Sequence, residues 1–351
     1  MLTNNAKTDR IMPNPGLGLN FHQINDNRPA KRSKPTKPAA TLTTATMTLD
    51  HHPRFRINQV LNFSRPSAHL PTKLICLGQS FKLSLPVNFY DAHNHLQDDR
   101  FAGHQTELLA TCAQAGIKRM VVNGACETDW PEVLALARAN PVVLPSFGYH
   151  PWYLHESTPD WLQNLEKHLA AVPSAVGEIG LDRWKTGLPY DRQEEFFIAQ
   201  LRLAADHNLP VSIHCLQAWG RLHDLLGEHP RPARGLVLHS FGGPPEMIPA
   251  FAKLGAYFSF PGYFLQERKQ RQRETFKAVP PDRLLIETDA PDQPLPAEKI
   301  LHPLAEANGQ PLNHPANLPA VYQGLAEFLG EDPDHFARRV EENFQRIFGG
   351  L

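Results

Sequence analysis

No two of the four cysteines, Cys76, Cys112, Cys126 and Cys215, are spaced as CxxC. That excludes a zinc knuckle and a disulfide framework, and free buried thiols in a reducing compartment are the expectation. No run of 18 apolar residues occurs, so no membrane-spanning helix is expected. The first 30 residues lack the apolar centre of a secretory signal. A cytoplasmic location is therefore expected. No internal repeat of fixed period is visible, and no obligate protein partner is evident.

Net charge is also scarce, at -1 from 35 Lys and Arg against 36 Asp and Glu. The balance hides an asymmetry. Residues 1–88 hold 12 basic and 3 acidic residues, which leaves 23 and 33 in the rest, a balance of -10. An acidic body argues against avid, sequence-independent binding to nucleic acid, which needs many Lys and Arg on phosphates. It suits a site where divalent ions restore positive charge locally.

Residues 1–84 form a basic, Pro- and Thr-rich extension, with Arg28-Pro29-Ala30-Lys31-Arg32 and Thr41-Leu42-Thr43-Thr44 as examples. Such a segment buries too little apolar surface to offset its ordering entropy, so it is expected to be mostly disordered. Organelle targeting, binding of an acidic partner, or no role at all remain open. Asp9 and Asp26 count mildly against a transit peptide.

Residues 85–351 read differently. Eight short apolar runs, at 85–90, 118–124, 142–147, 175–179, 210–214, 235–239, 256–260 and 284–289, alternate with helical patterns. Within 193–207, Phe197, Leu201 and Ala204 recur at helical spacing, the mark of a face packed on a sheet. The size and rhythm predict a (β/α)8 TIM-like barrel. A closing pair of helices is expected over 318–329 and 333–348.

The chain is organised around Asp91-Ala92-His93-Asn94-His95. On a strand, positions two apart share a face, so His93 and His95 aim two imidazoles at one point. With 18 histidines in the chain, a surface pair is the ordinary alternative. Glu178, His214, His239 and Asp289, however, also sit at the C-terminal ends of apolar runs. In a barrel those ends converge on one face, where active sites are built. Four histidines and two carboxylates there make a donor set for one or two divalent ions. Histidine-rich donors suit Zn, Mn or Co, with Mg as a further candidate. Two ions ~3.5–4 Å apart clamp the attacking and leaving oxygens of an in-line displacement.

From about Tyr90 to Phe348 the chain resembles the TatD-like metal-dependent hydrolases (TatD-related DNases) of the amidohydrolase superfamily. The matching motifs are Asp91-Ala92-His93-Asn94-His95-Leu96, Gly148-Tyr149-His150-Pro151, Gly177-Glu178-Ile179-Gly180-Leu181-Asp182, Val211-Ser212-Ile213-His214, His239-Ser240-Phe241-Gly242-Gly243, Glu287-Thr288-Asp289-Ala290-Pro291 and Asn313-His314-Pro315. The resemblance implies a binuclear site. His93, His95 and Asp289 would hold one ion, Glu178 would bridge, and His214 and His239 would hold the other. Asp289 is then the candidate base, with Glu178 beside it as a catalytic residue. DNA phosphodiester hydrolysis is the implied activity. Glu178 stands where the wider superfamily uses a carboxylated lysine, which makes a lactonase-like reading a poorer fit.

Around this set, His150 is a candidate contact to substrate phosphate or leaving group, with a rim residue as the alternative. Asp91 and Asp182 are candidates for orienting ligands from behind, and helix capping competes for Asp182. Cys215 is expected to be a packed thiol. Trp152, Trp184, Trp219 and Phe241 either line the mouth and stack on bases or simply pack.

Three departures weaken DNA as substrate relative to hydrolysis itself. Leu216 stands where many relatives carry Arg, His239-Ser240-Phe241-Gly242-Gly243 stands for the usual His-Cys-Phe-Ser-Gly, and Asp292-Gln293 follows Pro291 where an aromatic is common. A small phosphoester, an amide or another non-nucleic substrate is the alternative. A barrel without turnover, acting as a metal-containing interaction protein, is a further one.

Overall fold

The computed structural model describes residues 87–351. The extension expected to be disordered, residues 1–84, lies outside the described residues, as does Cys76. Eight parallel strands, β1 (Phe89–Asn94), β2 (Ile117–Asn123), β3 (Val143–Phe147), β4 (Ala175–Asp182), β5 (Val211–Leu216), β6 (Leu236–Leu238), β7 (Ala256–Pro261) and β8 (Leu284–Glu287), follow one another in order around one sheet. The first and last strands meet where Asp289 N donates to His93 O at 3.0 Å and His95 N donates to Ala290 O at 2.8 Å. This is the expected (β/α)8 barrel.

Helices α1 (Gln105–Gln114), α2 (Trp130–Ala139), α3 (Trp161–Ala171), α4 (Tyr190–Asp206), α5 (Trp219–Glu228), α6 (Ile248–Lys253) and α7 (Gln270–Thr275) connect the strands. The closing pair is α8 (Leu318–Leu329) and α9 (Pro333–Phe348). Phe197, Leu201 and Ala204 are buried as their spacing predicts. The helical stretches over 245–254 and 267–277 begin with 3-10 turns, and their α-helical parts are only six residues each. Pro249 brings no N–H to the first, and in the second only Thr275 and Phe276 are buried, too few to fix a longer helix on the sheet.

The first strand also runs further than its apolar residues suggest, through Asn94 rather than stopping at Tyr90. Asp91 explains the difference. Its carboxylate accepts from Thr288 N at 3.0 Å and Thr288 Oγ1 at 2.6 Å. A buried acid thus joins the first strand to the last.

Alternation along the strands sorts the barrel interior into levels. Val121, Leu144, Val237, Tyr257 and Leu285 cluster with Tyr90 and with Phe344, Ile347 and Phe348 of α9. That cluster is an apolar floor. Two residues further along the same face stand Asn123, Ser146, His239, Ser259 and Glu287, all buried. The strands therefore change from apolar to polar as they approach the mouth.

Gly180 allows β4 and β5 to approach this closely. A Cβ there would lie 1.9 Å from His214 O, and its φ is +153°. Gly180→Ala is expected to destabilise the fold by about 3 kcal/mol through overpacking and backbone strain. Urea unfolding would register this, and an unchanged midpoint would contradict it.

Candidate metal centre

The six expected donors converge at the mouth. His93 Nε2 and His95 Nε2 are 3.2 Å apart. Glu178 Oε2 lies 3.4 and 3.3 Å from them, and Asp289 Oδ1 lies 3.6 Å from each. Four ligands held about 2.1 Å from a tetrahedral ion are separated by about 3.4 Å. The other Glu178 oxygen serves a second group. Oε1 is 3.1 Å from His214 Nδ1 and 2.8 Å from His239 Nε2, and those two nitrogens are 3.3 Å apart.

Three observations test whether a cation fits. Glu178 is 3% exposed, and its Oε1 has no hydrogen-bond partner despite the close imidazoles. An orphaned carboxylate oxygen in such a place is costly unless something positive meets it. Next, His95 Nδ1 donates to Asn123 O at 2.8 Å, so the inward Nε2 is the nitrogen that can give up its proton to a cation. Finally, His214 Nε2 contacts Asp182 Oδ2 at 3.1 Å, which leaves its inward Nδ1 free. With the outer nitrogens engaged, the inward nitrogen of each ring is the one that faces the common centre and binds a cation once any second proton has left, as in metal ligands. The residues fit the implied ions.

Charge on the protein alone is distributed unevenly. Burial by itself would raise Glu178, but the imidazoles around it, His239 foremost, hold it well below the usual carboxylate range. Burial pushes Asp289 up to about 7. Burial alone would lower His95, but Glu178 and Asp289 raise it to about 9. His93, fully buried and beside other imidazoles, falls to about 4.

The flanking residues separate in role. His150 lies 3.5 Å from Glu178 Oε1 and by distance belongs to the same donor cluster. Its Nδ1, however, accepts from Trp152 N at 3.2 Å, and burial holds the ring neutral. The inward Nε2 therefore carries the proton and is a donor, whereas the rings of His95 and His214 keep their outer protons and can release the inward one. Asp182 caps the turn at Trp184 and Lys185 with Oδ1, at 2.7 and 2.8 Å, and holds His214 with Oδ2. It caps no helix, since α4 begins only at Tyr190. Asp91 touches no imidazole; besides Thr288 it accepts from His93 N at 3.2 Å and from Asn94 Nδ2 at 3.2 Å, so it ties the strand ends together rather than orienting a ring.

Cys215 is buried in the apolar core, as expected of a packed thiol. Phe241 is fully buried against Trp219, Phe251 and Phe258 and is not at the mouth surface. Trp184 is 56% exposed, and Trp152 donates to Asp182 Oδ2 at 2.6 Å.

Several neighbours went unnoticed in the sequence. Ser212 Oγ is 2.8 Å from His93 Nδ1. Glu287 accepts from Ser240 N at 2.8 Å and from Ser259 Oγ. Gln293 Nε2 donates to Asp289 Oδ2 and lies 2.8 Å from Ser240 Oγ. A polar residue at an inward position of an otherwise apolar run was the available signal. Asp292, in place of an aromatic, forms a two-pronged pair with Arg100 at 2.9 and 2.8 Å, joining the loops after β8 and β1. Gln217, Ser240, Asp289 and Gln293 all have φ between 43° and 54°, so strained backbone collects at this mouth.

A family model described as TatD related DNase matches residues 90–349. The 3'-5' ssDNA/RNA exonuclease TatD of Escherichia coli is 33% identical over 266 residues, 74% of this chain and 98% of that protein. YjjV of Escherichia coli, described as an uncharacterized metal-dependent hydrolase, is 31% identical over 263 residues, 74% of this chain and 97% of its own. The crystal structure of that TatD homolog has a TM-score of 0.68 over 75% of this chain and 98% of its own. A TatD family hydrolase from Entamoeba histolytica is 20% identical with a TM-score of 0.67, covering 76% of this chain and all of that one, and shares the fold.

Proposed function

The chain belongs to the TatD-related DNase family, and from that premise we propose that it is a divalent-metal-dependent nuclease trimming single-stranded DNA. What supports this most is Glu178, one buried carboxylate whose two oxygens face two separate groups of donors. His93, His95, Asp289 and Glu178 would hold one ion, and His214, His239 and Glu178 the other. Such ions, when bound, supply positive charge that acidifies water and offsets the charge building on a phosphoryl group.

The chain's own groups do the remainder. Asp289 accepts the proton of the attacking water, and Gln293 occupies its Oδ2 so that Oδ1 faces the centre. His150 offers its Nε2 proton to a phosphoryl or leaving oxygen. Asp182 and Ser212 fix the rings of His214 and His93. A second reading, hydrolysis of a small phosphoester, is favoured by Leu216, which offers no cation after β5.

The deciding experiment strips the protein of metal and adds back Mg, Mn or Zn with end-labelled single-stranded and duplex DNA beside small phosphodiesters. Metal-dependent trimming of the single strand is expected. Protein that binds two ions yet leaves every DNA intact would refute the nuclease reading. Because every donor lies beyond position 84, we further expect a chain lacking residues 1–84 to keep its kcat, and a loss of turnover would show the extension to be part of the enzyme.

Ion binding should depend on pH. Ions take the deprotonated ligands, and the ion-free site holds His95 at about 9 and Asp289 at about 7. Both protons must leave, so affinity rises with pH, by about tenfold per unit between 7 and 9 and more steeply below 7. Calorimetric titration in two buffers of different ionisation enthalpy reads the released protons directly. An affinity flat from pH 6 to 8 would contradict the assignment.

A further inference from the structure

We propose that the groove bounded by the loops after β5, β6, β7 and β8 binds the nucleotide adjoining the scissile phosphate of a single strand, with Lys269 and Arg271 as its phosphate-binding cations. The proposal rests on the nuclease reading and adds a subsite to it. A cavity of about 450 Å³ lies there, within the roughly 300–1,000 Å³ of small-ligand pockets. Ser240 and Gln293 form part of its lining. Gln293 is the residue that also donates to Asp289, so the cavity adjoins the candidate base. Trp219, Tyr263, Lys269 and Arg271 line it as well.

The charges there lack protein partners. Lys277 pairs with Glu274 at 2.7 Å, and Arg273 donates to the carbonyls of Phe264 and Leu265. Among the described residues, no carboxylate lies within ion-pair distance of Lys269 or Arg271. Lys269 Nζ instead sits 4.7 Å from the centre of the Tyr263 ring. Burial lowers the proton affinity of this lysine, with Arg268 adding to the effect. An anion would relieve that crowding of positive charge. Unpaired cations on a body of net negative charge, next to two aromatic rings, match the chemistry of single-strand binding, where phosphates meet Lys or Arg and bases stack. Leu216 lines the same cavity. The cation absent after β5 is thus supplied from the loop after β7.

The test compares the metal-loaded full chain with a variant carrying Lys269→Ala and Arg271→Ala, using a labelled single-stranded oligonucleotide. Both side chains reach solvent, so the variant is expected to fold. KM should rise roughly tenfold or more with kcat nearly unchanged, and the slope of log KM on log salt should flatten by about 0.7 for each phosphate the variant no longer neutralises. Lys269→Arg in place of alanine should restore most of the KM. Equal KM and equal salt slope in variant and wild type would overturn the groove while leaving the nuclease intact. A fall in kcat alone would also overturn it. Wild-type protein that hydrolyses bis(4-nitrophenyl) phosphate but not the oligonucleotide would instead remove the nuclease reading, and the groove with it.

Discussion

Asp289→Asn is expected to lower kcat on single-stranded DNA by about 10³-fold or more while leaving the barrel folded. The size follows from the loss of the proposed general base, worth about 10²–10⁴, together with one charged ligand proposed for the first ion. The fold should survive for a specific reason. Position 289 has φ +53°, a conformation in which asparagine is among the best tolerated residues. Asparagine can also keep the bond to Gln293 by presenting its carbonyl oxygen where Oδ2 stood. Its amide group then faces His93 and His95, placing N–H donors where a cation would lie. The variant thus removes the proton acceptor and disfavours the ion without altering the backbone. Steady-state kinetics with metal analysis decides it. Turnover within tenfold of wild type would assign the base to another residue.

The convergence at the strand ends is legible because histidines and carboxylates, the types that metal ligation asks for, stand out after apolar runs. His93, His95, His214, His239 and Asp289, with Glu178 in its glycine-rich stretch, can thus be picked out of the sequence, and the structure brings their side chains together. What lies behind them is not legible. Ser212, Ser259 and Glu287 are ordinary residues whose meaning comes from barrel closure, which turns alternate positions of different strands toward one axis. The backbone oxygen of Asn123 that fixes His95 leaves no trace in side-chain chemistry. Asp91 reads as a candidate for orienting a ligand from behind, yet its carboxylate goes to Thr288, His93 N and Asn94. Only the meeting of the first and last strands, nearly 200 positions apart in the chain, makes that role visible. Helix ends failed for the opposite reason. The run at 267–277 has helical residues but little apolar surface, so the extent of α7 is set by the neighbouring loop rather than by propensity.

Glu178→Gln should have the other large effect, on ion stoichiometry as much as on rate. Glutamine matches glutamate in shape but has one acceptor oxygen in place of two, and no charge. If that oxygen stays with His214 and His239, the amide nitrogen faces His93 and His95, and the first group loses a ligand. The reverse rotamer empties the second group instead. In either case one centre is left with an N–H aimed at it. Bound metal, measured by mass spectrometry after dialysis, is expected to fall from two ions to at most one, and kcat by about 10³-fold, since both oxygens of the displacement need compensating charge. Asp182→Asn gives the contrast. Its amide can still accept from Trp184 and Lys185, but His214 loses a carboxylate partner and with it basicity toward the second ion. There the weaker ion should drop about 10–100-fold in affinity while the first is held as before. Two ions retained at wild-type affinity in Glu178→Gln would show that the two groups of donors are not joined through this carboxylate.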